Sequence, residues 1–496
     1  MTALAQPMTG ASSAVVKWDS IEWNAIETQV HRLQMRIAKA LREEKYGKVK
    51  SLQWLLTHSF DAKLLAVKRV TENTGKKTPG IDGVLWKNSK EKMQATQSLK
   101  RRGYQPQPLR RIYIPKKNGK QRPLGIPVMK DRAMQALHLL ALEPISETQA
   151  DKNSYGFRPK RSCADAIEQC FIVLSKKSSA QWILEGDIRA CFDKISHLWL
   201  ENNILIDKKI LHQWLKSGYM EKEVFHPTNE GTPQGGIISP TAANITLNGM
   251  EALIRSISNQ PEKVNLVRYA DDFIITGSSK EILEDKIKPA IEAFLKERGL
   301  ELSQEKTKIT HIKDGFDFLG FNIRKYGDKL LIKPAKKNVL SFLKDIRELI
   351  KGNSAMTTEE LIRRLNARIR GWANYYRYAI SKQIFSYVDH CIFQAIGKWA
   401  KRRHPNKNKH WLGNKYFRRQ DLRNWIFSVK VRNKKRGIIN LDLFLASSLP
   451  IKRHVKIRNN ANPFDSEFTE YFLKRDKRNK ISPRDVSNCE RLLPLF

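Results

Sequence analysis

Cysteine and acidic residues are both scarce in this 496-residue chain. The five cysteines (Cys163, Cys170, Cys191, Cys391, Cys489) are scattered, odd in number and never spaced C-x-x-C. That excludes a disulfide framework and a cysteine-based zinc site, and it fits a reducing compartment. No apolar run approaches the ~20 residues that span a bilayer, so no membrane partner is expected. The opening stretch MTALAQPMTGASSAVV has no basic flank before an apolar core and does not read as a secretory signal. Neither an internal repeat nor a long low-complexity tract is present. What is there suffices for packed interiors: 41% of residues are hydrophobic, with 11 Trp and 20 Phe. Disorder of the whole chain is excluded, and the length calls for two or three domains.

The charge is strongly one-sided. Lys and Arg number 91 against 50 Asp and Glu, a formal net charge of +41. From Lys333 onward there are 38 basic and 13 acidic residues, and the remainder carries 53 and 37. Such a field favours a polyanion as partner. A solvated face or attraction to anionic lipid would need no aromatics, yet Trp372, Tyr375, Tyr376, Trp399, Trp411 and Trp425 interleave the basic residues. Stacking on bases beside phosphate contacts uses that mixture, so nucleic acid is the expected partner.

Periodicity places helices from about Trp18 to Trp86, ended by the turn-rich T-P-G-I-D-G run at 78–83. Two extended runs, 110–115 and 121–127, flank Asn118-Gly119, a hairpin signal. Helices are expected over 130–142 and 162–174, the second with Ser162 and Asp165 in a capping arrangement. A buried strand spans 182–188 and a hairpin 264–276, with a helix between them whose start is marked by Ser239 as cap and Pro240 at the first helical position. Another hairpin is expected from Phe316 to Ile332. Beyond it the chain reads as mainly helical: Thr357 and Glu360 open a helix whose apolar residues Leu361, Leu365, Ile369, Trp372 and Tyr376 recur every three or four positions. Arg363, Arg364, Arg368 and Arg370 occupy much of the rest of that helix.

Three carboxylates carry the chemistry. Asp187 ends an apolar strand, and Asp271 with Asp272 sits at the tip of an apolar hairpin. A sheet pairing the two elements would gather acids more than eighty residues apart. Hard oxygen ligands of this kind suit magnesium, and two such ions can activate a hydroxyl and stabilise a leaving pyrophosphate in an in-line displacement. Taken singly, Asp-Asp is also a good turn pair and Asp187 an ordinary strand-end acid.

Tyr269-Ala-Asp-Asp272 resembles the Y-x-D-D box of reverse transcriptases, and the surrounding blocks resemble bacterial group II intron-encoded reverse transcriptase/maturase proteins over nearly the whole chain. The blocks are Asn153-Ser-Tyr-Gly-Phe-Arg158, Asp187-Ile-Arg-Ala-Cys-Phe-Asp193, Gly231-Thr-Pro-Gln-Gly-Gly-Ile-Ile-Ser-Pro240, Phe318-Leu-Gly-Phe321 and Arg370-Gly-Trp-Ala-Asn-Tyr-Tyr376, in the family's order. The implied fold is α+β: a right-hand polymerase with fingers, an antiparallel-sheet palm and an α-helical thumb, plus a basic C-terminal extension. The implied division is 1–90 as a helical N-terminal extension, 91–332 as fingers and palm, 333–440 as thumb or maturase domain X, and 441–496 as a DNA-binding region.

The resemblance also implies roles. Asp187 and Asp271 would bind two Mg2+ ions, with Asp272 completing the acidic cluster and the Ile188 carbonyl a further ligand. Phe192 matches the aromatic gate that leaves no room for a 2′-hydroxyl. Lys116 and Arg122 would grip the triphosphate of the incoming dNTP, as point charge and planar fork. Gln234 lies in the glycine-rich loop against nucleotide and template, Phe318, Leu319, Gly320 and Phe321 resemble the primer grip, and Lys306 or Lys308 could protonate the leaving pyrophosphate. Arg363, Arg364, Arg368 and Arg370 would face RNA.

The expected function is RNA-directed DNA polymerisation by a protein that binds its parent group II intron RNA, assists its splicing and copies it into target DNA from an RNA template/DNA primer duplex. The expected location is the bacterial cytoplasm, at the nucleoid. The competing reading is an RNA-binding splicing cofactor with a relic polymerase site, against which the intact acids and Gln234 argue. A retron-type or diversity-generating polymerase is disfavoured by the N-terminal extension and the Arg370-Gly-Trp block. Many relatives continue into an H-N-H nuclease with paired cysteines. Only Cys489 follows Cys391 here, so no endonuclease is expected and the DNA primer would come from elsewhere.

Overall fold

The computed structural model describes residues 17–115, 119, 121–353, 355–421, 423–433 and 437–479. Three helices, Trp23–Arg42, Tyr46–His58 and Phe60–Glu72, open the chain. Each lays a buried stripe (Ile37 and Leu41, Leu52 and Leu56, Val67 and Val70) against the long helix Met129–Gln149. That helix is buried around most of its circumference, so it needs partners on several sides, and the N-terminal helices are one set.

The strands follow in chain order. β1 (Leu109–Pro115) and β2 (Gln121–Ile126) form the expected antiparallel hairpin. β3 (Trp182–Asp187) is followed by the short pair β4 (Tyr219–Glu221) and β5 (Val224–His226), and β4 joins β1 in parallel to complete a sheet ordered β2-β1-β4-β5. β6 (Asn265–Tyr269), β7 (Asp272–Gly277) and β8 (Lys308–His311) assemble with β3 into an antiparallel sheet ordered β6-β7-β3-β8. This sheet is buried on both faces. Leu184, Leu266, Phe273 and Ile275 enter one hydrophobic core, while Ile183, Val267 and Ile274 enter the other. The near-continuous apolar runs of these strands have that cause.

β9 (Phe316–Phe318), β10 (Phe321–Tyr326) and β11 (Lys329–Pro334) make a meander that leads into three helices, Lys336–Gly352, Thr358–Tyr376 and Lys382–Arg403. Thr357 Oγ1 caps the middle helix by accepting from the Glu360 N–H, and Leu361, Leu365, Ile369, Trp372 and Tyr376 are its buried stripe, as their spacing predicts. The capping box of Ser162 and Asp165 on helix Cys163–Leu174 is likewise present.

Two expectations need correction. The stretch from Lys336 to Arg436 is not helical throughout: β12 (Phe417–Gln420), β13 (Arg423–Asn433) and β14 (Gly437–Asp442) form an antiparallel sheet. Its signal was the period-two alternation Phe427, Val429, Val431 with Ser428, Lys430, Arg432, masked by the high basic content. Ser239 is not a cap either. It is the first residue of helix Ser239–Leu247, Ile238 stands before it, and no side chain caps that end. Lys116, half of the expected triphosphate grip, and Cys489 lie outside the described residues. Among the described residues no helix is long and apolar enough to cross a membrane.

Candidate active site

β3 and β7 run antiparallel with Asp187 directly opposite Asp272. β7 is joined to β6 by the two-residue turn Ala270-Asp271, closed by the Tyr269–Asp272 pair. The left-handed φ of Ala270, +57°, turns the chain within this space. All three acids therefore line one end of the sheet, in a cleft of about 950 Å³. Arg122, Ile188, Phe192, Gln234 and Lys306 line the same cleft. Sequence-distant residues are thus brought together as the motif order implies.

The electrostatics of the acids are those of a charge cluster without enough counter-charge. Burial, then the neighbouring Asp271 and Asp187, pushes Asp272 up to about 7. Asp271 is raised by burial and by Asp187, against the pull of Arg122 and Lys306. Oxygen donors that resist ionisation together fit a divalent cation, which would relieve both causes. Among the described residues no three such side chains close on a single point at ligand spacing. The acids line a shared wall rather than a finished cage.

Lys306 Nζ donates to Asp187 Oδ2 at 2.8 Å. Lys308 instead lies on β8, 3.4 Å from Glu185, and does not line the cleft. Of the two lysines, the structure brings only Lys306 to the acids. Ile188 follows β3 in an isolated bridge to Leu302, and its carbonyl accepts no backbone hydrogen bond among the described residues. Phe192 sits edge-on to Phe157, ring centroids 6.3 Å apart.

Gln234 is held by a hydrogen bond from its Nε2 to Asp193 Oδ2 (3.1 Å). Its loop is tied to β2 and to the segment after β3: the Gly125 N–H donates to the Gln234 carbonyl at 2.7 Å, and Thr232 N–H donates to Phe192 O. A Cβ on Gly235, whose φ is +117°, would lie 2.5 Å from the Gly125 carbonyl, so glycine is required there.

The Phe318-Leu-Gly-Phe321 turn has φ of +50° at Leu319 and +78° at Gly320. Phe318 and Phe321 pair across it and both rings are buried, so the turn presents Leu319 and backbone rather than aromatic faces. Arg363, Arg364, Arg368 and Arg370 are all exposed. Arg363 and Arg364 pair with Glu359 and Glu360 one turn back, exposed pairs that cost little to break. The Arg370 guanidinium lies 5.1 Å from the Phe444 ring centroid.

The structure adds residues that sequence reasoning left without a role. Arg268 is fully buried and donates to the Ala270 carbonyl (3.3 Å), Asn244 Oδ1 (3.2 Å) and Asn248 Oδ1 (3.0 Å). The Asn153–Arg158 block lies beside it: Tyr155 N–H donates to the Arg268 carbonyl and Arg268 N–H to the Asn153 carbonyl, each at 2.9 Å. An arginine inside an apolar strand was the available signal. Tyr375 and Tyr376 donate to the Leu319 and Gly320 carbonyls at 2.8 and 3.2 Å, tying helix Thr358–Tyr376 to the 318–321 turn.

Comparison with known proteins agrees with this geometry. Residues 114–323 match the reverse transcriptase (RNA-dependent DNA polymerase) family, 18–99 the N-terminal domain of reverse transcriptase, and 339–417 the group II intron maturase-specific domain. Protein YkfC of Escherichia coli (strain K12) is 34% identical over 54% of this chain and 83% of its own. The group II intron-encoded protein LtrA of Lactococcus lactis subsp. cremoris is 31% identical over 64% of this chain and 68% of its own. A solved telomerase from Candida tropicalis aligns with 64% of this chain and 62% of its own at 13% identity and a TM-score of 0.39, too distant to argue from. The three matched regions in this order, together with relatives that share most of their length with it, show that the chain belongs to the group II intron-encoded reverse transcriptase/maturase family.

Proposed function

We propose that the cleft at the end of the β3–β7 sheet is where this reverse transcriptase copies its parent intron RNA, with Asp187, Asp271 and Asp272 holding two Mg2+ ions and Ile188 offering its carbonyl. The observation that carries this is the register of Asp187 opposite Asp272, with Asp271 at the adjoining turn. Bound there, the ions would activate the primer hydroxyl and neutralise charge on the departing pyrophosphate.

The chain's own side chains supply the rest. Arg122, on β2 at the cleft wall, is placed to hold the triphosphate of a dNTP through its planar fork. Lys306, the cation beside Asp187, is placed to give a proton to the pyrophosphate oxygen as the bond to the α-phosphate breaks. Phe192 would press on the sugar and exclude a 2′-hydroxyl. Gln234, fixed by Asp193, would lie under the base pair being formed, and the turn 318–321 would hold the primer strand.

The RNA partner follows from the maturase-specific domain. The parent intron as that RNA, target DNA, the template–primer duplex and a nucleoid location in a bacterial cytoplasm are part of the proposal. So is the division into an N-terminal extension (1–90), fingers and palm (91–332), thumb or domain X (333–440) and DNA-binding region (441–496), with Arg363, Arg364, Arg368 and Arg370 facing RNA.

The test is a paired assay on Asp271→Ala. Primer extension on an RNA template should be abolished while intron binding and splicing assistance persist, because RNA contacts are spread over a wide basic surface. Loss of both activities in a folded variant would contradict the assignment.

A further inference from the structure

A second cavity, of about 580 Å³, opens among the N-terminal helices, away from the acids. Its floor is the apolar side of helix Met129–Gln149 (Met134, Leu137, Ala141) together with Ile206, each at most 9% exposed. Interiors are normally packed to near crystal density, so an unfilled apolar space of this size, open to the surface, asks for an occupant.

Three features say what kind. Its rim carries Lys50, Lys63, Lys100, Arg101, Arg102 and Lys208. The one acid there, Asp207, is already spoken for: its Oδ1 accepts from the N–H groups of Lys209 and Ile210, and Oδ2 pairs with Arg101. Lys63 is held below its ordinary range by burial and by the charge of Lys100, as expected of cations crowded without counter-ions.

The second feature is Trp54. It is 60% exposed, with His58 stacked beside it, ring centroids 4.3 Å apart, so the indole reaches the cavity rim as a flat aromatic surface.

The third is His138. It lines the cavity, is 5% exposed, and makes no hydrogen bond among the described residues; its ring stands perpendicular to that of Trp214, centroids 5.4 Å apart. Burial lowers its pKa to about 4, so the ring is neutral and offers one donor and one acceptor. An unpartnered polar group at the floor of an apolar cavity is costly unless a ligand meets it.

We infer that this cavity accepts one unpaired nucleotide of the RNA this protein binds, its base beside Trp54 with an edge toward His138 and its phosphates among the rim cations. Stacking, edge hydrogen bonding and phosphate contact are the three components of single-strand recognition. The inference rests on the RNA-binding part of the family reading and not on the polymerase site.

The test uses the full-length chain and a short single-stranded RNA oligonucleotide carrying one 4-thiouridine. Irradiation should cross-link that base to peptides from Tyr46–His58 or Met129–Gln149. Trp54→Ala, a change at an exposed position, should weaken binding about fivefold or more, and His138→Leu should weaken it as well. The same oligonucleotide with an abasic site should bind wild type and Trp54→Ala equally. The inference is overturned if both variants bind the intact RNA as wild type does, if the abasic RNA binds wild type as tightly as the intact one, if DNA of the same sequence binds better, or if the substitutions change only the oligomeric state, which would mark the cavity as a seat for protein. Primer extension on a pre-annealed RNA template and DNA primer should be unchanged in Trp54→Ala; its absence in the wild type would fault the polymerase reading and leave the cavity result standing.

Discussion

Gly156 lies so close to the Ala270-Asp271 turn that a Cβ on it would come within 2.4 Å of the Ala270 nitrogen and 2.9 Å of the Tyr269 carbonyl carbon. Both neighbours are backbone, so neither can swing aside. The turn that carries Asp271 is thus positioned from outside the hairpin by Gly156 and from within it by the buried Arg268 guanidinium, which donates to the Ala270 carbonyl. Gly156→Ala is expected to cost about 1–3 kcal/mol through overpacking and to lower primer extension at least tenfold, measured by thermal melting and single-nucleotide incorporation. Wild-type incorporation in this variant would show that the turn has slack.

The 318–321 turn, the proposed primer grip, is positioned from helix Thr358–Tyr376. Tyr375 is half-buried, and its hydroxyl donates to the Leu319 carbonyl and lies 3.0 Å from Cys163 Sγ. Tyr375→Phe leaves the Leu319 carbonyl without that donor, for about 1 kcal/mol. The expected outcome is shorter products per binding event at an unchanged rate of first-nucleotide addition, read from extension under a template trap. Equal product lengths would detach this tyrosine from primer handling.

Much of this was legible in the residues themselves. The pairing that matters most follows from two apolar strands with acids at their ends: the two-residue turn sets the hairpin register and the buried runs stop at the acids. Helix Thr358–Tyr376 was readable from its cap and stripe. The sheet from Phe417 to Asp442 was not, because its exposed positions are as basic as those of the helices before it and charge carries no period of its own. The roles of Gly156, Arg268 and Tyr375 were hidden for another reason. Gly156 and Tyr375 act through contacts with turns far along the chain, which no local pattern reports, and Arg268 folds back on the turn two residues after it only because Asn244 and Asn248 hold its guanidinium. Between Lys306 and Lys308, adjacent in kind and spacing, only the bend from Leu302 into β8 decides which one reaches Asp187.

Phe192 gives a prediction about substrate choice. Its ring lines the cleft beside Asp193, five residues after Asp187. Phe192→Val would open space where a 2′-hydroxyl must fit, so ribonucleotide incorporation should rise relative to deoxyribonucleotide by at least tenfold, at a modest cost in deoxyribonucleotide efficiency. Competition between the two nucleotide types on one RNA template measures the ratio. An unchanged ratio would assign the ring to packing against Phe157.

The last prediction concerns Asp165, which the sequence offered only as a helix cap. Its carboxylate is fully buried and accepts from Ser162 N and Oγ, from His454 Nε2 (2.9 Å), from the Ile457 N–H (2.7 Å) and from Arg475 Nη2 (2.7 Å). Burial alone would raise its pKa, but the His454 hydrogen bond and the charges around it hold the group down to about 2. A carboxylate depressed in the folded state binds its proton more readily when unfolded, so its contribution is complete above the unfolded value near 4 and is lost as pH falls through about 2. That contribution is on the order of 2 kcal/mol. Asp165→Asn should flatten the acid limb of the stability curve over this interval and cost about 3 kcal/mol at neutral pH, since Arg475 loses its buried partner. Because three of the donors come from residues 454–475, the C-terminal segment should detach first, exposing that stretch to proteolysis before the helix Cys163–Leu174 unfolds. Urea melts from neutral pH down to pH 2, run beside limited proteolysis, would refute the latch if wild type and variant lost stability in parallel.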